Sequence, residues 1–125
     1  MDIQFLAACL YAFFATLPMA CQLALAFGAP WGEFTLGGKY PGELPTWLRP
    51  VVLIQALLLL AMAMAVLHQA KVIDLGWPDW TFTAAGLLTL ATFLANTFTP
   101  SIPERRLWSP VTFALLLLYA LVYML

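Results

Sequence analysis

The chain has 125 residues, of which 64% are hydrophobic and only 9% are charged, and its formal net charge is −1. This composition lies far from that of soluble domains and is typical of a membrane protein. A net charge so close to zero, without a basic amphipathic helix, excludes nucleic acid as a partner. We therefore expect the lipid bilayer to be the main partner and the whole chain, residues 1–125, to form a single transmembrane domain.

The first apolar segment carries no charged residue from Ile3 to Gly32. Because a membrane helix needs about 20 mostly apolar residues to cross a hydrocarbon core of about 30 Å, this segment predicts a transmembrane helix over about residues 3–27. The sequence "ALA" at 24–26 resembles a signal-peptide cleavage site, but no Lys or Arg precedes it. The missing basic region favours a retained helix over a cleaved signal.

Small side chains recur at every fourth position of this first helix and predict its packing face. Lipid tails are as apolar as leucine, so helices in a bilayer associate through close packing and hydrogen bonds, and small residues let a neighbouring backbone approach. We expect this row to be the main helix packing seam. Its members are Ala8, Ala12, Thr16, Ala20, Ala24 and Gly28.

A long loop over residues 28–50 follows the first helix and contains five of the chain's seven glycines. Its Gly37-Gly38 pair predicts a tight turn or a short hairpin, and Pro41-Gly42 predicts a second turn. A loop of this length in a small protein is usually a lid or a contact surface, so we expect it to fold over the helix ends. A disordered connector is the alternative interpretation.

Three further apolar segments, over about residues 51–70, 80–98 and 107–125, complete the predicted fold. Pro50 and Pro110 each precede a run of four leucines and are expected in the first turns of their helices, where the missing N–H costs nothing. The similar surroundings of the two prolines suggest two repeated helical hairpins. The sequence thus predicts an all-α fold, an integral membrane bundle of four transmembrane helices.

An even number of spans places both termini on one side of the membrane and loops 28–50 and 99–110 on the other. Those two loops together carry four basic side chains, whereas the loop on the side of the termini carries Lys71 alone. By the positive-inside rule, loops 28–50 and 99–110 are expected in the cytoplasm and both termini outside. The expected localisation is a multi-pass protein of a cell membrane.

Polar side chains gather at the membrane boundary on the side of these two loops. One interpretation is that amides and threonines join the helices while arginines anchor the topology. The other is a shallow pocket, floored by amides and roofed by both loops, in which an arginine pair binds a phosphate or carboxylate. The candidate residues for binding a ligand or partner are Glu33, Arg49, Asn96, Glu104, Arg105, Arg106, Gln22 and Gln55.

Several classes of chemistry lack their residues in this sequence. The single histidine, His68, lies on the opposite side, and no spacing of Cys, His and carboxylates resembles a metal site. Neither of the two serines is near a histidine, and no glycine-rich phosphate loop precedes a helix. All carboxylates fall outside the predicted helix interiors, unlike those of ion-coupled carriers. We expect no catalytic residue, metal or cofactor, so an enzyme is less favoured than a binding protein.

The segments "GAPWGEFTLGGKYPG" and "NTFTPSIPERRLWSP" resemble the loops of small uncharacterised four-span bacterial membrane proteins. The resemblance implies a bacterial inner-membrane location and brings no activity with it. The residues themselves favour a non-catalytic accessory or interaction subunit, or a homo-oligomer, acting through the face formed by loops 28–50 and 99–110. The alternatives are a binder, carrier or enzyme for a small amphiphile or lipid headgroup and, more weakly, a passive channel or exporter.

Overall fold

The computed structural model describes residues 2–125 and contains four α-helices, with no strand among these residues. Short 3-10 turns lie in the connection between the first two helices. The helices are α1 (Ile3–Ala26), α2 (Arg49–Gln69), α3 (Trp80–Thr97) and α4 (Ile102–Met124), and the 3-10 turns are Gly32–Phe34, Leu36–Gly38 and Thr46–Leu48. The prediction of an all-α fold is confirmed.

Three of the helical segments are long and apolar enough to cross a membrane: α1, α2 with the turn before it (Thr46–Gln69), and α4. α3 has 18 residues and is less apolar than the others, because it contains five threonines and Asn96. Large apolar side chains, including Phe13 and Ile54, point outward from the helices. These outward apolar faces suit contact with lipid tails and are those of a membrane protein.

The four helices form a ring in which α1 and α3 each pack against both α2 and α4. Gln4 Nε2 donates to the carbonyl of Val122 at 3.0 Å, which joins the start of α1 to the end of α4. Both ends of the described chain therefore lie at one end of the bundle, together with loop 2 (residues 70–79). Loop 1 (residues 27–48) and loop 3 (residues 98–101) lie at the other, here called the loop end.

The packing face of α1 differs from the predicted row of small residues. Thr16 and Ala20 are exposed, and of that row only Ala8 is fully buried. A row at every fourth position advances by about 40° per step around a helix, so six members wind through about 200° and leave the face on which they began. The remaining members, which are half-buried, are Ala12, Ala24 and Gly28.

The buried face of α1 instead follows spacings of three and four residues. Ala8, Tyr11, Ala15, Pro18 and Leu25 are all buried. Alternating steps of three and four residues average close to the helical period of 3.6, so these side chains stay on one side of the helix. This face contacts α2 along one edge and α4 along the other.

A polar contact crosses the centre of the bundle between two helices that are diagonal in the ring. The Tyr11 hydroxyl is fully buried and lies 2.7 Å from Thr89 Oγ1 on α3. Thr89 donates its own proton to the carbonyl of Ala85 at 2.6 Å, so Tyr11 is the donor of the pair. Every polar atom of this contact is thereby satisfied within the protein.

α4 begins at Ile102, five residues before the predicted start. Ser101 caps it, since its Oγ accepts the backbone N–H of Glu104 at 3.2 Å, and Pro103 occupies the first turn. Pro110 consequently lies inside α4, and its predicted position in the first turn is wrong. The Ser-x-x-Glu spacing of Ser101 and Glu104 therefore marks the start of α4.

Candidate functional site

A cavity of about 650 Å³, called the polar cavity here, lies at the loop end among the four helices. Residues 34–37 and Lys39 of loop 1 form its roof together with Phe98, Thr99 and Pro100 of loop 3. Its floor contains three side-chain amides, one from each of α1, α2 and α3, and its size is within the usual range of small-molecule sites. The polar side chains that line the helical walls are Gln22, Gln55, Thr92, Asn96, Glu104 and Thr112.

Four of the eight sequence-predicted site residues line this cavity and four do not. Gln22, Gln55, Asn96 and Glu104 come together from four different helices. Amides that are more than 30 residues apart in the sequence thus share one enclosed space. The predicted residues outside the lining are Glu33, Arg49, Arg105 and Arg106.

Arg105 and Arg106 are exposed because Glu104 points inward. Successive residues on a helix are rotated by about 100°, so the two residues after an inward carboxylate turn away from the cavity. Arg105 donates to the carbonyl of Thr99 at 3.1 Å and so fixes loop 3 from the outside. The arginine pair predicted for an anionic group does not face the cavity.

Arg49 holds the end of loop 1 in place and stays outside the cavity. Its Nε donates to the carbonyl of Leu44 at 3.2 Å, and its guanidinium lies 4.0 Å from the carboxylate of Glu43. That ion pair is substantially exposed and contributes little free energy to folding. The side chain of Glu33 is likewise exposed on the loop surface.

Three hydrogen bonds, called the latch below, fasten loop 1 to the first turns of α4. Glu104 Oε2 accepts the N–H of Gly37 at 3.0 Å, and Ser101 Oγ donates to the carbonyl of Glu33 at 2.8 Å. Trp108 Nε1 donates to the carbonyl of Phe34 at 2.9 Å. Loop 1 is therefore a folded lid; its turns are 3-10 turns, and no hairpin forms.

Loop 1 is also closed within itself and rests on apolar side chains. The N–H of Gly32 donates to the carbonyl of Gly42 at 2.9 Å, and a Cβ at position 32 would lie 1.8 Å from the carbonyl oxygen of Tyr40. Only glycine permits this crossing of two backbone segments. Beneath it, Leu25, Leu44, Leu48 and Val52 form a small buried cluster beside the cavity.

Glu104 is the charged group nearest the interior of the site, with only 6% of its surface exposed. Besides its bond to Gly37, it lies in the first turn of α4, where the helix dipole favours a carboxylate. The one ion pair found within residues 2–125 joins Arg49 to Glu43, so no basic side chain there pairs with Glu104. The polar cavity thus contains a carboxylate that forms no ion pair, although Lys39 belongs to the lining of the same cavity.

Gln22 carries an unsatisfied acceptor into the same cavity. Its Oε1 is buried and has no hydrogen-bond partner, and it is the only side-chain atom of that kind among the described residues. A buried polar atom without a partner is costly, so such atoms normally meet water or a ligand. Gln22 therefore provides a position at which a bound group with an N–H or O–H is stabilised.

A second cavity of about 450 Å³, the apolar groove, lies between α2 and α3. It shares Leu58, Met62 and Leu88 with the polar cavity, so the two spaces adjoin along the α2–α3 seam. Trp77 and Trp80 close its far end. The groove is lined almost wholly by hydrocarbon and leads from the loop end toward the middle and far end of the bundle.

The polar cavity and the apolar groove together suit the binding of a ligand. Residues 2–125 contain no cluster of three potential metal ligands. His68 lies at the opposite end of the bundle, where its Nδ1 accepts the N–H of Leu75 at 3.2 Å and its Nε2 lies 3.2 Å from the carbonyl of Trp77. These two bonds join the end of α2 to loop 2 and shape that loop.

Two residues of the site escaped the prediction as functional residues. Trp108 was not among the predicted site residues. A partly buried indole N–H generally needs an acceptor, and that need is the signal for its latch bond. Lys39 carries no local signal, because only the fold of loop 1 brings it to the cavity. No protein-family model, no curated protein and no solved structure matches the chain, so the geometry of the two cavities is the basis for a functional proposal.

Proposed function

We propose that this chain is a four-span membrane protein that binds a small amphiphile, with the polar head in the polar cavity and a hydrocarbon chain in the apolar groove. The observation that carries the proposal is the shared wall of Leu58, Met62 and Leu88, which makes one space polar at one end and apolar at the other. An amphiphile has the same division. This function was the alternative to an interaction subunit at the level of sequence, and the adjoining cavities favour it.

The four-span topology rests on assigning α3 to the membrane with the other three helices. α3 has 18 residues, or about 27 Å at 1.5 Å per residue, and no charged side chain. Its polar groups largely bond to its own backbone: Thr89, Thr92 and Asn96 donate to the carbonyls four residues earlier. Because these protons already bond to the backbone of α3, little free energy is needed to transfer them into lipid. The hydropathy index counts each threonine and Asn96 as fully polar and therefore overstates the cost of placing α3 in the membrane.

The orientation follows from the basic residues at the loop end. Lys39, Arg49, Arg105 and Arg106 all lie there, against Lys71 alone at the opposite end. Short loops rich in Lys and Arg stay in the cytoplasm, which puts the polar cavity on the cytoplasmic side and both termini outside. The apolar groove then runs at the depth of the acyl chains, where a membrane amphiphile can reach it from the side.

Filling the polar cavity tests the binding proposal. Thr92→Phe places a ring into the space between α2 and α3, whereas Thr83→Phe makes the same change on an exposed face of α3 that lines neither cavity. Each variant is exchanged into amphipol, titrated with lysophosphatidylethanolamine and measured by native mass spectrometry. We expect saturable binding to the unmodified chain and to Thr83→Phe, and at least about tenfold weaker binding to Thr92→Phe.

Two results would overturn this function. One is the absence of any saturable binding to the unmodified chain, and the other is equal loss in both variants, which would locate the lipid on the outer surface. Thermal unfolding of both variants in the same amphipol separates loss of binding from loss of fold.

A second candidate function is the non-catalytic interaction subunit or homo-oligomer. The observation in its favour is that Thr16 and Ala20 are small residues left exposed on the outer face of α1, where another membrane helix can approach closely. Ala20→Leu should then shift the native mass spectrum of the chain from a dimer or larger assembly toward monomer. A purely monomeric unmodified chain in mild detergent, with no co-purified membrane protein, contradicts this candidate.

A further inference from the structure

We propose that the headgroup bound in the polar cavity carries a primary ammonium, held between the carboxylate of Glu104 and the side-chain oxygen of Gln22. The inference rests on the proposed function and names the chemical class of its ligand. It depends on which hydrogen-bonding groups the cavity lining leaves free.

The hydroxyl protons of both threonines in the cavity lining, and one amide proton of Asn96, are committed to the protein's own carbonyls. Thr92 Oγ1 donates to Leu88 at 2.8 Å, and Thr112 Oγ1 donates to Trp108 at 2.7 Å. Asn96 Nδ2 donates to Thr92 at 2.8 Å. A hydroxyl has a single proton, so both threonines face the cavity with lone pairs only. A ligand group that contacts these hydroxyls must therefore bring the donor, whereas the amides of Gln22 and Gln55 and the ammonium of Lys39 still offer N–H groups.

Glu104 and Gln22 add two further acceptors on the walls of the same space. Glu104 uses Oε2 to hold Gly37, which leaves acceptor capacity on a carboxylate that forms no ion pair. Gln22 Oε1 has no partner at all. A primary ammonium supplies three N–H donors and a positive charge, so it satisfies the amide oxygen and compensates the buried carboxylate together. A neutral alcohol supplies one proton and no charge.

Lys39 is the one basic side chain in the cavity lining, and it favours the opposite sign of ligand. It belongs to the roof and is exposed, so solvent screens its charge far more than that of the nearly buried Glu104. We therefore expect Glu104 to decide the sign of the bound headgroup. Lys39 is suitably placed only for an anionic group nearer the mouth of the cavity.

Three amphiphiles with the same dodecyl chain test this inference on the full chain in amphipol. Dodecylammonium carries charge and donors, dodecyltrimethylammonium carries the charge without N–H donors, and dodecyl sulfate carries the opposite charge. Dissociation constants come from titrations followed by native mass spectrometry. We expect dodecylammonium to bind at least about tenfold more tightly than either of the others.

Glu104→Gln then isolates the charge, because a glutamine keeps an oxygen for the Gly37 N–H and nearly the same volume. We expect this variant to lose at least about tenfold in affinity for dodecylammonium and to bind dodecyl sulfate unchanged or more tightly. Glu33→Gln is the matched control: it removes the same charge from the same end of the bundle, at an exposed side chain outside the cavity lining. It should leave all three affinities within about twofold.

The outcomes separate the headgroup from the binding function. If all three amphiphiles bind equally, and all are excluded by Thr92→Phe, the cavity binds amphiphiles but the ammonium assignment is wrong. A preference for dodecyl sulfate would show that Lys39 dominates and would also overturn it. If none of the three binds saturably to the unmodified chain, the proposed function itself fails.

Discussion

α3 packs closely against α4 along one seam but leaves open space against α2 along the other. Against α4, Gly86 receives the ring of Tyr119, whose hydroxyl donates to the carbonyl of Phe82 at 2.6 Å and whose ring stacks on Phe82 at 4.4 Å. Against α2, the same helix leaves both the apolar groove and part of the polar cavity. One face of α3 is packed and the other is open.

The difference follows from the sizes of the side chains that face each other across each seam. On the α4 side, the smallest residue of α3 faces a large ring, so the two surfaces interlock. On the α2 side, Ala61 and Ala65 are placed opposite Ala84 and Ala85 in the groove lining. These small side chains do not fill the space between α2 and α3. Under the proposed function, the amphiphile fills this open seam.

The largest effect is expected from adding volume to the closed seam. A Cβ at Gly86 would already lie 2.4 Å from the Tyr119 ring, which is held by both its hydrogen bond and its stack. The overpacking should outweigh the gain of about 1 kcal/mol in helix propensity, so Gly86→Leu should reduce the free energy of unfolding by a net amount of about 1–2 kcal/mol. Thermal unfolding in a mild detergent measures the change.

Ala84→Leu is the matched variant on the open side of the same helix. Its side chain enters the apolar groove, so stability should change by less than about 0.5 kcal/mol while amphiphile binding weakens. If Gly86→Leu were tolerated as well as Ala84→Leu, the seam with α4 would be no more closely packed than the seam with α2. Equal destabilisation by both would mean that the groove is closed in the membrane.

The next largest effect concerns the roof of the open seam. Trp108→Phe removes the N–H that binds the carbonyl of Phe34 and leaves that carbonyl without its protein donor. A lost bond of this kind costs about 1–3 kcal/mol, so hydrogen exchange of the amides in residues 32–38 should accelerate by about tenfold or more. Trp31→Phe, at an exposed tryptophan of the same loop, is the control. Unchanged exchange in Trp108→Phe would show that the other two latch bonds suffice.

Much of the site's composition could be predicted from the sequence, because depth along a helix can be read by counting. Gln22, Gln55 and Asn96 all lie near the loop end of their helices, and the fold brings them to one cavity. Ser101 and Glu104 have the spacing of a helix cap, and Ser101 does cap α4, while the Glu104 carboxylate binds Gly37 instead. The depth of a residue along a helix and the capping of a helix end each depend on a few nearby residues. Both can therefore be predicted from a single sequence.

What could not be predicted is the rotation of each helix about its axis. Arg105 and Arg106 were assigned to the pocket with Glu104, but a rotation of about 100° per residue separates neighbours in sequence. The row that includes Thr16 and Ala20 left the packed face for the same reason. The rotation of a helix about its axis depends on the helices that pack against it, and the local sequence does not identify those helices.

The smallest expected effect concerns the hydrogen bond that joins α3 to α1 across the centre of the bundle. Tyr11→Phe removes the hydroxyl that donates to Thr89 and leaves the bond from Thr89 to Ala85 intact. Hydrogen bonds between membrane helices contribute about 0.6–1.7 kcal/mol, so a double-mutant cycle of Tyr11→Phe with Thr89→Val should give a coupling energy in this range. The same cycle should leave the affinity for lysophosphatidylethanolamine within about twofold, because neither side chain lines a cavity. A coupling near zero would mean that this hydrogen bond does not help to hold α3 in place, and that its packing against α2 and α4 suffices.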